Sequence, residues 1–399
     1  MNVNLNIQVF KLILIIICVC SLPLFLIMAI DEYNLASRLV AWILFCFGTY
    51  PMVKYFWSRS QNYLPVLELI LLSYVIAFAL PVLFQTEHYH NIKMLYPGEQ
   101  PVTTTLLLAL FGMVALFTGY KLSPNILRRL RVPRLSLNGA NYKLKYYAFF
   151  ISILFLLSWA TSFGSFQGLV NIFMSRDLGI ALLAILYYRK ELGRYAKLGS
   201  LLVLIAMVLV GVSTSLTQAM IQPLMIWFIC RWLVTGKLEV RYLALGLVVI
   251  MLIQPVKLEY RKAFWNQSEV LTPIQQAGIF SVLFYNYWFI PSDKEADDSM
   301  STRSSLLLQT AHVIDWTPNT VPYRGGDTLL TMFSSFIPRA IWPAKPIAQQ
   351  ANIYYALDYG VTTSQGAETT MFGVGHLGEV YMNLGPIGIV PIFFLLGIF

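Results

Sequence analysis

The chain has 399 residues, of which 57% are apolar and only 12% charged, and its formal net charge is +9. Soluble proteins carry about 25% charged residues, so this composition and a mean hydropathy of +0.65 exclude an ordinary soluble domain. Several stretches approach the roughly 20 apolar residues that a helix needs to cross about 30 Å of hydrocarbon. The stretch "KLILIIICVCSLPLFLIMAI" (11–30) lacks the alternation of a membrane β-barrel. We therefore predict an all-α polytopic membrane protein.

Ten apolar stretches are predicted to span the membrane. They lie at about 10–30, 38–56, 64–84, 103–121, 146–163, 178–189, 198–214, 216–234, 242–257 and 384–399. The first is predicted to be a retained helix rather than a cleaved signal peptide, because it leads directly into the second. The span at 178–189 is short, and the segment before it fits an interfacial or re-entrant stretch. The last ends at Phe399 without a polar tail, which favours a chain that continues beyond this residue.

The distribution of charge orients these spans. The segment 121–145 contains no acidic residue and seven cations, namely Lys121, Arg128, Arg129, Arg131, Arg134, Lys143 and Lys145. Such a loop is cytoplasmic under the positive-inside rule, and its expected contact is anionic lipid rather than nucleic acid. The N-terminus is then cytoplasmic as well. The chain divides into N-terminal spans (1–257), a large extracytoplasmic loop (258–383) and the start of a C-terminal span (384–399).

The large loop is the only long hydrophilic stretch. Helices are predicted within it at 299–314, 326–337 and 346–357, and an amphipathic helix at the membrane interface is predicted at 279–290, where Tyr and Trp are favoured. The loop is net acidic, yet it contains seven cations: Arg261, Lys262, Lys294, Arg303, Arg324, Arg339 and Lys345. Cations outside the cytoplasm need a reason other than orientation, and an anionic ligand is one.

Metal and disulfide chemistry are not predicted. The four cysteines, Cys18, Cys20, Cys46 and Cys230, all fall within predicted spans, where free cysteine packs as a small apolar residue. The four histidines, His88, His90, His312 and His376, offer no closed ligand set. We expect neither a metal nor another cofactor.

Three segments carry a resemblance to a known family. They are "VPYRGGDTLL" (321–330), "FIPRAIWPAKP" (336–346) and "GHLGEVYMNLGPIG" (375–388). Together they resemble the Wzy-type oligosaccharide repeat-unit polymerases, which include the O-antigen polymerases. The similarity concerns mainly residues 300–390, and the Pro-Arg-x-x-Trp-Pro-x-Lys-Pro core is its most specific part. The spans that precede it agree in hydropathy alone.

The resemblance implies a multi-pass, GT-C-like glycosyltransferase of the cytoplasmic (inner) membrane. Such an enzyme transfers a growing glycan from undecaprenyl diphosphate to a lipid-linked oligosaccharide repeat unit at the outer membrane face. The implied partners are this lipid-linked oligosaccharide, membrane lipid, and a chain-length regulator and flippase of the same pathway. Nucleic acid and cofactors are not implied.

The transfer requires cations that bind the lipid diphosphate. Arginine suits this role because its planar fork contacts phosphate oxygens with two hydrogen bonds. The first choice is Arg339, which lies with Lys345 in the proline-rich turn beside Trp342. Arg303 and Arg324 follow. The alternative is that these cations pair with acidic residues of the loop or with lipid headgroups.

The transfer also benefits from a base for the acceptor hydroxyl. His376 and Glu379 lie three residues apart, so they share one face if the segment is helical. Histidine titrates near neutrality and accepts a hydroxyl proton. Asp315 and Asp327 are weaker choices, because Asp327 is also placed to cap a helix.

Three other functions remain open on the sequence. An O-antigen-type ligase uses the same donor with another acceptor. A lipid-linked oligosaccharide flippase would be expected to show inverted repeats and charges deep within the spans, whereas the polar groups here concentrate in one loop. A noncatalytic scaffold for polysaccharide export is the third.

Overall fold

The apolar stretches of the sequence form long helices in the computed structural model. The structure describes residues 21–22, 33–57, 65–83, 98–127, 141–160, 176–213, 217–236, 248, 252, 256, 260, 273–290, 306–334, 342, 350–364 and 373–398. Within these ranges the chain is helical and contains no strand. The fold class expected from composition is confirmed to this extent.

We number the longer helices in chain order. They are α1 (Leu35–Trp57), α2 (Val66–Leu83, with a π-helical turn at Val75–Ala79), α3 (Glu99–Leu127), α4 (Asn141–Ala160), α5 (Arg176–Tyr188), α6 (Arg194–Ser213), α7 (Thr217–Thr235), α8 (Pro273–Phe289), α9 (Leu307–Trp316), α10 (Asp327–Ser334), α11 (Gln350–Asp358) and α12 (Gly375–Ile398). The helices α8 to α11 overlap the four predicted in the large loop, although α8 begins earlier than predicted, at Pro273, and α9 begins later, at Leu307. The predicted spans at 10–30 and 242–257 lie almost entirely outside the described residues.

Five helices are long and apolar enough to cross a membrane, counting only the described part of the chain. They are Leu35–Tyr55, Val66–Leu83, Glu99–Pro124, Arg194–Gly211 and Gly375–Ile398. The exposed face of α6 supports this assignment. Leu198, Leu202, Ile205 and Leu209 follow one another at helical spacing, and each is more than half exposed. A stripe of this kind would be costly in water, whereas lipid is its natural surrounding.

The helices pack in two groups. The larger hydrophobic core joins α1, α2, α3 and α12 of the first group to α9 and α11 of the large loop. The smaller core lies between α4, α5, α6 and α7. Tyr55 of α1 and Trp232 of α7 connect the groups through a ring contact of 5.9 Å. The helices α9 and α11 of the large loop are therefore fixed to the first group.

The contact between α3 and α12 is the closest in the first group. A Cβ on Gly119 would lie 2.1 Å from the Phe394 carbonyl oxygen, and a Cβ on Gly397 would lie 2.1 Å from that of Leu116. The two backbones approach this closely only because both positions lack a side chain, as small residues permit in membrane helices. This contact fixes α12, whose N-terminal end carries two of the predicted site residues, His376 and Glu379.

Candidate functional site

The structure describes five of the eight predicted site residues: Arg324, His376, Glu379, Asp315 and Asp327. The other three, Arg303, Arg339 and Lys345, lie outside the described residues. Helix α12 begins at Gly375 rather than near 384. As a result, His376 and Glu379 belong to the first turns of a helix that is long and apolar enough to cross a membrane.

A π-helical turn in α2 forms one wall of the site. In the turn Val75–Ala79, the Leu80 amide donates to the Val75 carbonyl five residues earlier. The Ala77 carbonyl instead accepts a hydrogen bond from the Leu306 amide, at 3.1 Å. Such turns are frequent at functional sites. This one attaches the start of α9 to α2.

A cavity of about 260 Å³ lies where α2, α9 and α12 meet. Its lining consists of Ser73, Tyr74, Ile76, Ala77, Phe78, Leu306, His376 and Leu377. Most of this surface is apolar, and His376 supplies its imidazole. Ser73, Ile76 and His376 are exposed, so the cavity opens to the outside of the helix group. The site thus combines a titratable group with an apolar wall on a membrane helix.

Two turns beyond His376 along α12, Asn383 connects this helix to α10. Its side-chain amide donates to the Thr328 hydroxyl at 2.6 Å and to the Glu379 carbonyl at 2.7 Å, and its oxygen accepts from the Thr328 amide at 3.3 Å. Asn383 is almost fully buried. A buried amide with this many partners holds its neighbours in one arrangement. It fixes α10 beside the turn that carries Glu379.

A kink in α12 receives the loop that carries Arg324. Pro386 has no amide hydrogen, and Gly385 has a φ of 68°, so the helical hydrogen bonds are interrupted there. The Met382 and Asn383 carbonyls accept instead from the Arg324 and Gly325 amides, both at 3.0 Å. Two of the three segments that resemble the polymerases, 321–330 and 375–388, are therefore joined directly.

The Arg324 side chain has partners on α11. Its guanidinium forms an ion pair with Asp358 and lies over the Tyr354 ring, 3.9 Å from the ring centroid. Pairing with an acidic residue of the loop is the alternative that the sequence left open for this arginine. The charge of Arg324 is compensated by Asp358, although about a quarter of the side chain remains exposed.

The two aspartates lie at helix ends. Asp327 is exposed and is the first residue of α10. Its backbone amide donates a hydrogen bond to the Arg324 carbonyl, at 3.3 Å. Asp315 is exposed near the end of α9. None of the three carboxylates, Asp315, Asp327 and Glu379, lines the cavity beside His376. The two aspartates stay weaker choices for a base, whereas Glu379 lies one turn from His376 on α12.

Three further residues organise the site, and none of them was predicted from the sequence: Tyr354, Asp358 and Asn383. Asn383 lies inside the segment 375–388, two residues before Gly385 and three before Pro386, and an amide close to a helix break is a signal for a capping or bridging role. Tyr354 and Asp358 carry no comparable signal, because their partner is distant in sequence and only packing brings it near.

Comparison with known proteins gives one family. No curated protein and no solved structure matches the chain. The family model that matches residues 108–399 is described as a domain of unknown function, DUF8712, and this match extends from α3 to the end of the chain. The match covers both walls of the site that follow α2. The chain belongs to the DUF8712 family.

Proposed function

We propose that this protein is a polysaccharide polymerase of the cytoplasmic membrane, N-terminus inside, with ten or more spans and a GT-C-like architecture. It transfers a growing glycan from undecaprenyl diphosphate to a lipid-linked oligosaccharide repeat unit at the outer face. The observation that carries this proposal is the position of His376. Its imidazole lines an open, largely apolar cavity on the outer turn of α12. A proton acceptor at this position is suited to a substrate that consists of a lipid part and a sugar part.

The reaction requires one bond to form and one to break. The acceptor hydroxyl oxygen attacks the anomeric carbon of the donor glycan, and the bond from that carbon to the diphosphate oxygen breaks. The diphosphate leaves with the electron pair, while His376 takes the hydroxyl proton. Glu379, one turn along α12, stabilises the imidazolium or serves as the acceptor itself. A positioned base contributes about 10²- to 10⁴-fold in rate.

The cations of the large loop bind the diphosphate and neutralise its charge. Because Asp358 compensates Arg324, we assign the principal contact to Arg339, with Arg303 and Lys345 as further contacts. The Arg324 side chain then acts chiefly by holding its loop on α11. Donors aimed at charge that develops in the transition state have the largest effect on rate.

The test uses purified protein in lipid nanodiscs with a lipid-linked repeat unit, and follows polymer length. His376→Ala and Glu379→Ala are each compared with Thr320→Ala, which changes an exposed residue of the external turn after α9. We expect a loss of about a hundredfold or more from the variant that removes the principal base, and a native rate from Thr320→Ala. Native rates for both site variants would reject the base assignment.

A deletion strain separates the alternatives. Loss of the polymerase leaves single repeat units on the final acceptor. Complete loss of glycan from the acceptor would identify a ligase, and repeat units retained on the cytoplasmic face would identify a flippase. Unchanged polysaccharide length would reject the proposed function.

A further inference from the structure

His312 is a buried histidine that the proposed reaction does not use. It lies in α9 and is 2% exposed. Its ring is surrounded by aromatic side chains, with centroid distances of 4.8 Å to Trp316, 6.0 Å to Tyr355 and 5.9 Å to Tyr359. The last two belong to α11 and the turn after it, so the imidazole is part of the contact between these two external helices.

Three polar atoms of this contact have no hydrogen-bond partner among the described residues: the two ring nitrogens of His312 and the Tyr355 hydroxyl. The Tyr359 hydroxyl is bonded to the Thr317 hydroxyl at 2.5 Å. A neutral imidazole tolerates aromatic surroundings. A protonated one would need acceptors for two N–H groups, and ring faces offset only part of that cost.

The charges around His312 do not compensate a positive imidazole. On its own helix, Asp315 is exposed. Tyr355 and Tyr359 face His312 from α11 and the turn after it. Burial raises the pKa of each tyrosine above its ordinary value, so both hydroxyls stay neutral. Beyond Tyr359, Asp358 is already paired with Arg324. Burial lowers the pKa of His312, and the Asp315 carboxylate opposes that shift only in part.

The contact is also connected to the cavity. The start of α9 is attached to α2 through the Leu306 amide and the Ala77 carbonyl, and Leu306 lines the cavity beside His376. From α11, the Asn352 side chain accepts a hydrogen bond from the Val374 amide at 3.2 Å, just before α12 begins. Separation of α9 from α11 would therefore disturb two sides of the cavity.

We propose that His312 makes the contact between α9 and α11 acid-sensitive, so that protonation of its buried imidazole separates the two helices and disrupts the cavity. The orientation predicted from the cationic segment 121–145 places the large loop outside the cytoplasm, where the cell does not buffer the pH. The proposal does not depend on the reaction assigned to the cavity, because it rests on the packing of the loop helices and on this predicted orientation.

The direction of the effect follows from linkage. The open state takes up a proton near the ordinary histidine pKa of about 6.5, whereas the packed state resists it to lower pH. The contact is fully stable above that value and loses stability as pH falls below it, toward the packed-state pKa. In that interval the opening equilibrium rises up to about tenfold per pH unit, since opening is coupled to one proton.

The experiment is hydrogen exchange with mass spectrometry on the full-length protein in nanodiscs, from pH 7.5 to pH 4.5, corrected for intrinsic rates. In the native protein, amides of 307–316 and 350–358 should exchange progressively faster below about pH 6.5. His312→Phe keeps an aromatic ring and removes the titration, so its corrected rates should stay flat. His312→Gln, which is neutral and polar, provides a second variant if the phenylalanine protein is unfolded at pH 7.5.

The matched control is His376→Phe, which removes the exposed histidine of the cavity and should leave the acid response native. A flat native profile would overturn the proposal. So would an acid response that persists in a folded His312 variant, or one that His376→Phe also abolishes.

Discussion

Asn383 and Thr328 are 55 residues apart in sequence, yet their side chains are joined by a 2.6 Å hydrogen bond between α12 and α10. The Asn383 oxygen also accepts from the Thr328 amide, at 3.3 Å. This pair connects the segments 321–330 and 375–388, and it does so beside the turn that carries His376 and Glu379. One buried amide thus holds α10 beside that turn.

Replacement of Asn383 by leucine should destabilise the contact between α12 and α10. The isosteric side chain leaves the Thr328 amide and hydroxyl without their partner, at a cost of about 1–3 kcal/mol for each buried group left unpaired. Thermal unfolding in nanodiscs measures the loss. Asn352→Leu is the control, since Asn352 is half-buried and accepts one bond from the Val374 amide. An equal loss in both variants would contradict the central role of Asn383.

The ion pair between Arg324 and Asp358 should contribute modestly to stability. Pairs that remain partly exposed are worth about 1 kcal/mol or less, and the stacking on Tyr354 adds about 0.5–1 kcal/mol. A double-mutant cycle with Arg324→Ala and Asp358→Ala measures the coupling by chemical denaturation. Arg324→Lys should recover only part of it, because lysine lacks the planar guanidinium. A coupling of zero would mean that the pair does not hold the loop on α11.

Gly119→Ala should separate α3 from α12. The added Cβ would lie 2.1 Å from the Phe394 carbonyl oxygen, and a backbone atom of a packed helix cannot move aside without cost. Overpacking of this kind typically costs about 1–3 kcal/mol. Gly278→Ala is the matched control, because Gly278 is also helical and its Cβ would meet nothing within 4 Å. The control should be neutral or slightly stabilising, as alanine favours helix. Unfolding temperatures compare the two.

The orientation of the chain predicts opposite labelling at two exposed positions. In a protein whose native cysteines are replaced by alanine, Thr320→Cys lies in the large loop and should react with a membrane-impermeant maleimide in intact cells. Glu191→Cys, in the turn between α5 and α6, should react only after the membrane is opened. The reverse pattern would invert the topology and place His376 in the cytoplasm.

Arg339→Lys should impair polymer formation although it preserves the charge. If Arg339 contacts the diphosphate of the transition state, loss of the two-point contact costs on the order of 3 kcal/mol, roughly a hundredfold in rate. A surface ion pair would be worth at most about 1 kcal/mol and would tolerate lysine. Turnover of purified protein at matched abundance is the measurement. Native rates for both Arg339→Lys and Arg339→Ala would remove Arg339 from the site.

Composition and periodicity were sufficient to predict the helical membrane class and the helices of the large loop. Hydrocarbon imposes this directly, since every backbone polar group within it must be bonded inside its own helix. The runs 66–83 and 99–124 can therefore be recognised as candidate spans from the sequence alone, without knowledge of their neighbours. The same holds for His376 and Glu379, whose shared helical face follows from their spacing alone.

Tertiary structure alone decided which of those pieces meet. Three contacts join residues that lie far apart along the chain. Arg324 pairs with Asp358 and stacks on Tyr354, Leu306 is bonded to the π-helical turn of α2, and His312 packs against Tyr355. No local pattern encodes them, because each depends on backbones brought together by packing, such as the approach of Gly119 and Gly397. The sequence by itself determined that this chain has apolar helices long enough to cross a membrane and one long polar loop. Packing determined where its candidate site lies, since only the folded backbone sets the distance between side chains on different helices.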